Sequence, residues 1–284
     1  MPDSRSPAAS MAARVRVVRY GPSAPDDRAD FVVVEEPLRV HLEQRGLQHL
    51  LGSTMRTPGH DLELAAGLAV GEGVVRVTQD LLTVRPCRDG RRAAANDVTV
   101  VLAEHVSIDH GRLGRVSTPS SACGLCGRDE IEAIVAAAPR VTRSVSLDPE
   151  VLASLPDHMR ERQSVFRRTG GLHAAALATA AGEIMVVRED VGRHNAVDKV
   201  IGHAVMHAVS ADVLVVSGRA GFEIVQKAAM AGIPVVASVS APTSLSVEIA
   251  QACGITLAAF VREGRLNIYS GAERLTSMKD VASW

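Results

Sequence analysis

The chain has 284 residues, of which 46% are hydrophobic, 22% charged and 2% aromatic, and its formal net charge is -1. That length can bury a core without disulfide staples, as one large domain or two small ones. Near-neutral charge and scarce aromatic rings exclude the electrostatic footprint and the stacking platforms that nucleic-acid binding uses, so no nucleic-acid partner is expected.

Cys87, Cys123, Cys126 and Cys253 are the four cysteines. They are too few and too scattered for a secreted disulfide framework, which points to a reducing cytoplasm. The opening MPDSRSPAASMAAR has no apolar core of a signal peptide, and no stretch approaches bilayer-spanning length, so neither export nor a membrane partner is expected. Residues 1–13, rich in Ser, Ala and Pro, read as a disordered tail.

VRVVRY (15–20) and FVVVEEPLRVHLE (31–43) are rich in Val with partial alternation and predict strands. A helix follows within 56–75, with Asp61 available as its cap, an apolar stripe through Leu64, Ala65 and Leu68, and glycines at its end. LLTVRPC and DVTVVLA return to strand around an Asp-Gly turn region, so 14–106 reads as a smaller N-terminal mixed α/β region. Residues 107–128 lose periodicity and fill with Ser, Gly, Thr and Pro, the composition of an exposed, mobile loop, and the CxxC of Cys123 and Cys126 lies at its end. Ile131, Ile134, Val135 and Ala138 then start a helix.

From 129 to 284 the pattern is more regular. A helix near 149–163 precedes LHAAALATAAGEIMVVRE, two apolar runs that predict a hairpin. Helices over 195–209, 221–231 and 243–253 then alternate with strands DVLVV, IPVVASV and ITLAAFV, an order that predicts an α/β fold with a mostly parallel sheet covered on both faces. FVREGRLNIY closes the pattern as strand, turn and strand.

In such sheets ligands sit beyond the carboxyl ends of the strands, where helix N-termini point free amides outward. Three turns fit that role: 188–195, with Arg193, His194 and Asn195; 217–223, with Ser217, Gly218 and Arg219; and 240–244, with Ser240 and Thr243. Each sets polar or cationic donors at a positive helix end, which suits phosphate, although any one turn is equally explained by ordinary capping. None is a GxxxxGK[ST] or GxGxxG loop, which removes the usual nucleotide-hydrolysing and dinucleotide-redox sites. Arg262 and Arg265 gain interest only if their hairpin adjoins these turns.

The CxxC leaves several readings open. A structural zinc site needs four ligands, and Cys87 and Cys253 are solitary, with no spaced histidine pair after Cys126. A thioredoxin-like dithiol would follow an ordered apolar strand, which the small residues here do not supply. Thiols in a travelling loop suit persulfide sulfur transfer, with an incidental exposed dithiol as the plain alternative. Deaminase zinc chemistry is unsupported: after the hairpin stands Arg193-His194-Asn195 with no HxE, and 217–221 holds no cysteine.

MRTPGHDLELAAGLAVGEGVV, SSACGLCGR, RTGGLHAAAL, VREDVGRHNAVDKVIG, SGRAGFEIVQKAAMAGIPVVASVSAPTSLSVEIA and FVREGRLNIYS occur in collinear order over about 14–275. Together they resemble the FdhD family, sulfur carrier proteins needed for active formate dehydrogenase. The resemblance implies a cytidine-deaminase-like fold without deaminase activity, a homodimer, and sulfur taken from a cysteine desulfurase as a persulfide. That sulfur would pass to the molybdenum cofactor in its bis(guanine dinucleotide) form, a bound substrate rather than a permanent cofactor, for formate dehydrogenase. By position, Cys123 would carry the persulfide with Cys126 as its partner. Phe260, Val261, Arg262, Glu263, Gly264 and Arg265 would match the cofactor-contacting stretch. No permanent metal is expected.

Overall fold

The computed structural model describes residues 11–21, 26–87, 96–108 and 138–276. Strands β1 (Ala12–Arg19) and β2 (Asp26–Val33) form an antiparallel ribbon of their own. Its root is fixed by Met11 and Val33, packed against Val165, Phe166 and Leu172. Met11, inside the segment read as a tail, is buried in this apolar seat, and residues 1–10 lie outside the described residues.

The run expected as one strand over 31–43 divides. β2 ends at Val33, and β3 (Glu36–Gln44) joins a different sheet, because Leu38, Val40 and Leu42 alternate onto one fully buried face that the ribbon residues do not share. A two-residue turn, Arg45 and Gly46 with both φ positive, leads into β4 (Leu47–Arg56), the geometry a tight hairpin requires. With β5 (Leu81–Pro86) and β6 (Asp97–Leu102) these make a four-stranded sheet in the order β4-β3-β6-β5, parallel only at β3–β6.

Helix α1 (Asp61–Gly71) is the predicted first helix, but its cap differs from expectation. His60, in a left-handed conformation, occupies the N-cap, and Asp61 accepts from the buried Arg56 guanidinium at 2.9 and 3.0 Å. The helix carries small residues so that it can lie directly on the backbone of α4 (Arg193–Met206). A Cβ at Gly67 would stand 1.8 Å from the Asp198 carbonyl oxygen, and one at Gly202 would stand 1.7 Å from that of Glu63.

The main sheet has six strands. After α2 (Pro149–Glu161) and α3 (Ser164–Thr169) come β7 (His173–Ala178), β8 (Ile184–Asp190), α4, β9 (Val213–Val216), α5 (Phe222–Met230), β10 (Val235–Ser238), α6 (Ser244–Cys253), β11 (Thr256–Arg262) and β12 (Arg265–Ser270). Their order is β12-β11-β10-β9-β7-β8. Only β9–β10 and β10–β11 are parallel, and the other three pairings are antiparallel, so the sheet is mixed rather than mostly parallel. The cause is local: a hairpin stands at each end of the sheet, and β7 runs against β9.

Both faces are covered, as expected. Leu214 and Val216 point into the large core under α4, α5 and α6, while Val213 and Val215 point into the smaller core under α2. The larger core continues without a break through α1 to Leu38, Val40 and Val100 of the four-stranded sheet. Among the described residues no helix is long and apolar enough to cross a membrane.

Candidate anion-binding site at the carboxyl edge of the main sheet

Strands β8, β9, β10 and β11 run in one direction, so their carboxyl ends share an edge, and the start of antiparallel β7 joins them there. Hydrogen bonds tie the turns together. The Ser238 hydroxyl donates to the Gly218 carbonyl at 2.7 Å, the Ala220 amide to the Ala241 carbonyl at 3.2 Å, and the Phe260 amide to the Ser240 carbonyl at 3.2 Å. The hairpin carrying Arg262 and Arg265 therefore does adjoin the turns.

At the first turn the helix begins two residues earlier than expected, which moves Arg193, His194 and Asn195 into its first turn. Asp190 is the reason. Its Oδ1 accepts from the Gly192 amide at 2.8 Å and from Asn195 Nδ2 at 3.0 Å, which folds the chain into the helix immediately after β8. Asn195 also donates to the Met55 carbonyl at 2.7 Å, and its oxygen accepts from the Thr54 hydroxyl at 3.1 Å. Both amide protons of its side chain are thus spent on joining β4 to α4, and it has no donor left for an anion.

Thr243 differs from expectation in the same way. It caps α6 in a reciprocal box with Ser246, accepting from the Ser246 amide at 3.2 Å while its own amide donates to Ser246 Oγ at 2.8 Å. By contrast Gly192 and Gly221, the N-caps of α4 and α5, supply no side-chain cap. At α5 the Glu223 carboxyl already accepts from its own backbone amide, so among the described residues it is the start of α4 that leaves amides without a side-chain acceptor, which is where an anion is stabilised.

Two side-chain nitrogens at this edge, Arg193 Nε and His194 Nε2, are buried with no hydrogen-bond partner among the described residues. His194 Nε2 lies 3.4 Å from Glu223 Oε2, close enough for attraction without a directed bond. His194 holds the Glu223 carboxyl below its usual range, against the opposing effect of burial. Arg193 Nε is then the buried donor without an acceptor among the described residues, a costly state that an incoming anion relieves.

His173, at the head of β7, escaped the sequence reading. A Cβ at Gly218 would lie 3.3 Å from its Nδ1 and 3.8 Å from Arg193 Cδ, so the three residues are in contact range. Burial, then the charges of Arg193 and His194, push the His173 imidazole below its usual range, while Asp190 opposes them. A neutral ring results, able both to donate and to accept. The available signal was a polar residue opening the otherwise apolar run HAAALA.

Beside this cluster opens a cleft of about 500 Å³ lined by His173, Ser217, Val261 and Arg262, with Met159, Arg160 and Phe166 opposite. Ser217 Oγ accepts from the Ala174 amide at 2.9 Å and keeps its hydroxyl proton for a ligand. Arg219 is exposed on its turn, and Ser240 is half-buried. Phe260 has a φ of 53°, a conformation that bends β11 where its register shifts, and the Arg262 guanidinium lies 6.0 Å from its ring. Glu263 and Gly264 form the tight turn, which sets Arg262 directly opposite Arg265. Like charges so placed repel, and an anion between them relieves the repulsion. Cys123, Cys126 and the helix predicted after them lie outside the described residues.

A model of the FdhD/NarQ family matches residues 33–276. The chain belongs to the FdhD/NarQ family. It is 47% identical over 271 residues to the sulfur carrier protein FdhD of Streptomyces coelicolor, a match covering 92% of this chain and 95% of that one. It is 45% identical over 272 residues to the protein of the same name from Nocardia farcinica, covering 94% and 95% of the two chains. The fold resembles a crystal structure from Desulfotalea psychrophila, described as that of a formate dehydrogenase accessory protein, with a TM-score of 0.75, 23% identity, and coverage of 93% of this chain and 99% of that one. Family membership and the built edge thus concern the same stretch of chain, since every turn of the site falls within the matched residues.

Proposed function

We propose that this protein is a sulfur carrier that takes sulfur from a cysteine desulfurase as a persulfide on Cys123 and delivers it to the molybdenum cofactor of formate dehydrogenase. Cys126 is the second thiol of the pair. The cofactor, in its bis(guanine dinucleotide) form, is the substrate held at the carboxyl edge. The names of the relatives support the sulfur-carrier role. What supports the cofactor reading is one observation above the rest: the uncapped start of α4 lies with Arg193 Nε, which has no partner among the described residues, beside a cleft that also holds Arg262.

The chemistry assigned to the chain's own residues is binding and orientation. Amides of α4, Arg193 and Arg262 hold phosphate oxygens, and neutral His173 exchanges a hydrogen bond with the ligand without adding charge. The reading includes a cytoplasmic homodimer. It also includes a deaminase-like ancestry of the fold, supported by the helix–hairpin–sheet order of α2, β7, β8, α4 and β9.

The test is to incubate the protein with a cysteine desulfurase and cysteine and to locate added sulfur by mass spectrometry. The expected result is one sulfur atom on Cys123, lost in Cys123→Ala. A cofactor-binding chaperone that moves no sulfur is the second reading, because the described edge accounts for anion binding without either thiol. A Cys123→Ala/Cys126→Ala variant that still yields active, sulfurated formate dehydrogenase favours that second reading.

A further inference from the structure

Away from the carboxyl edge, α1 and α4 bring a different set of side chains together. Glu63 of α1 and His203 and His207 of α4 place one ligand atom each within 4.8 Å of one another. The two histidines stand one turn apart on the same helix face, their ring centroids 4.5 Å apart. His60 Nδ1 approaches the same carboxylate, 3.4 Å from Glu63 Oε2. None of these four residues belongs to the anion site described above.

We propose that Glu63, His203 and His207 form a binding site for a divalent transition-metal ion of the zinc type, with water completing its shell. Imidazole and carboxylate donors favour zinc, cobalt or nickel over magnesium and calcium, which prefer all-oxygen shells. Metal-to-ligand bonds of about 2.0–2.2 Å set ligand atoms roughly 3.3 Å apart, so closure asks for about 1.5 Å of movement. His207, exposed at the end of α4, can supply it by turning its side chain. The other two positions are already fixed, because the backbones of α1 and α4 touch where Gly202 meets the Glu63 carbonyl.

The competing reading is a plain ion-pair network. Arg188 donates to both Glu63 oxygens, at 2.5 and 2.7 Å, and His203 Nδ1 lies 3.0 Å from Oε1. The guanidinium opposes a second cation, so the site is weaker than an uncontested one. It does not block the ion, since a carboxylate offers about four lone-pair positions and a ligating carboxylate ordinarily has such an outer donor. The ion takes the place of the contact between His203 Nδ1 and Glu63 Oε1, and must also displace Arg188, whose guanidinium lies 3.4 Å from the same nitrogen.

The experiment uses the full, untagged chain carrying Cys87→Ser, Cys123→Ser and Cys126→Ser, which leaves the buried Cys253 as the one remaining thiol. Zn²⁺ is titrated against a chelating indicator, and Co²⁺ binding is followed by its visible spectrum. One ion per chain is expected, with cobalt bands that lack thiolate charge transfer, and with affinity falling about tenfold or more in His207→Ala. His207 is exposed, so that variant keeps its fold, checked by an unchanged circular dichroism spectrum. Unchanged affinity in His207→Ala, binding well below one ion per chain, or a thiolate band in the cobalt spectrum would each overturn the proposal.

Discussion

The Lys199 ammonium lies 2.7 Å from Asp190 Oδ2, and neither side chain reaches solvent. Lys199 also donates to the carbonyls of Thr57 at 2.9 Å and Glu189 at 3.3 Å, so all three of its protons are placed. Asp190 in turn accepts from Thr57, Gly192 and Asn195. The pair therefore fixes the first turn of α4, and with it Arg193 and His194, to the end of β4. Packing between the two sheets and geometry at the carboxyl edge share this one buried contact.

Lys199→Met leaves the Asp190 carboxylate uncompensated and is expected to cost about 3–5 kcal/mol in urea denaturation. Adding Asp190→Asn should recover part of that loss. A cost under about 1 kcal/mol for Lys199→Met would show that water or a rearranged neighbour satisfies Asp190.

Gly67→Ala and Gly202→Ala are each expected to destabilise the protein by about 3 kcal/mol or more, because the added methyl meets a carbonyl at 1.8 or 1.7 Å and backbone cannot yield cheaply. Gly218→Ala is milder. There the methyl meets the His173 ring at 3.3 Å, so the fold should survive while ligand affinity drops. Thermal melts alongside guanosine diphosphate titrations separate the two outcomes.

Arg193→Gln and Arg262→Gln are each expected to weaken guanosine diphosphate binding about tenfold or more, since a charge-assisted hydrogen bond contributes roughly 1.5–3 kcal/mol. Thr243→Ala should behave oppositely. Its oxygen accepts the capping bond of α6 and it adds no charge at the site, so stability falls by about 1 kcal/mol with a smaller change in affinity than the arginine variants show. Calorimetric titration of the three variants decides whether the free cap, and not the filled one, faces the anion.

Acid is expected to destabilise the protein in two adjoining windows. His173 and His60 both have depressed folded values, from burial first and then from neighbouring cations. The unfolded chain therefore binds more protons as pH falls from their ordinary 6.5 toward the folded values, and stability is lost over that interval. Glu223 and Glu63, also held low, add a further loss as pH falls from 4.5 toward their folded values. Urea midpoints between pH 7.5 and 3, with the His173 ring followed by NMR, check both windows. A His173 ring titrating at or above 6.5 would contradict the first.

Much of this was legible in the residues. The strands from β7 to β11 show in sequence because each carries a short apolar run, the helices between them because turn residues bound them, and the hairpin EG turn is visible in its composition. β4 was missed because Leu47, Leu50 and Met55 face solvent along an edge strand, which erases the alternation. Strand direction was misjudged because helices following strands imply parallel crossovers only between those strands, and the flanking hairpins reverse the rest. The turns were placed correctly, yet no pattern tells a spent cap such as Thr243 from a free one such as Gly192. Glu63 and His203 stand 140 residues apart, and only the contact of α1 with α4 brings them together.

The most direct test of the account follows labelled sulfur. Protein loaded with radioactive persulfide on Cys123 is mixed with the molybdenum cofactor, and the cofactor is then captured by formate dehydrogenase. The account predicts that label leaves the wild-type protein for the cofactor, and stays behind when Arg193→Gln has weakened the edge. Formate dehydrogenase that becomes active while all label remains on Cys123 would contradict it.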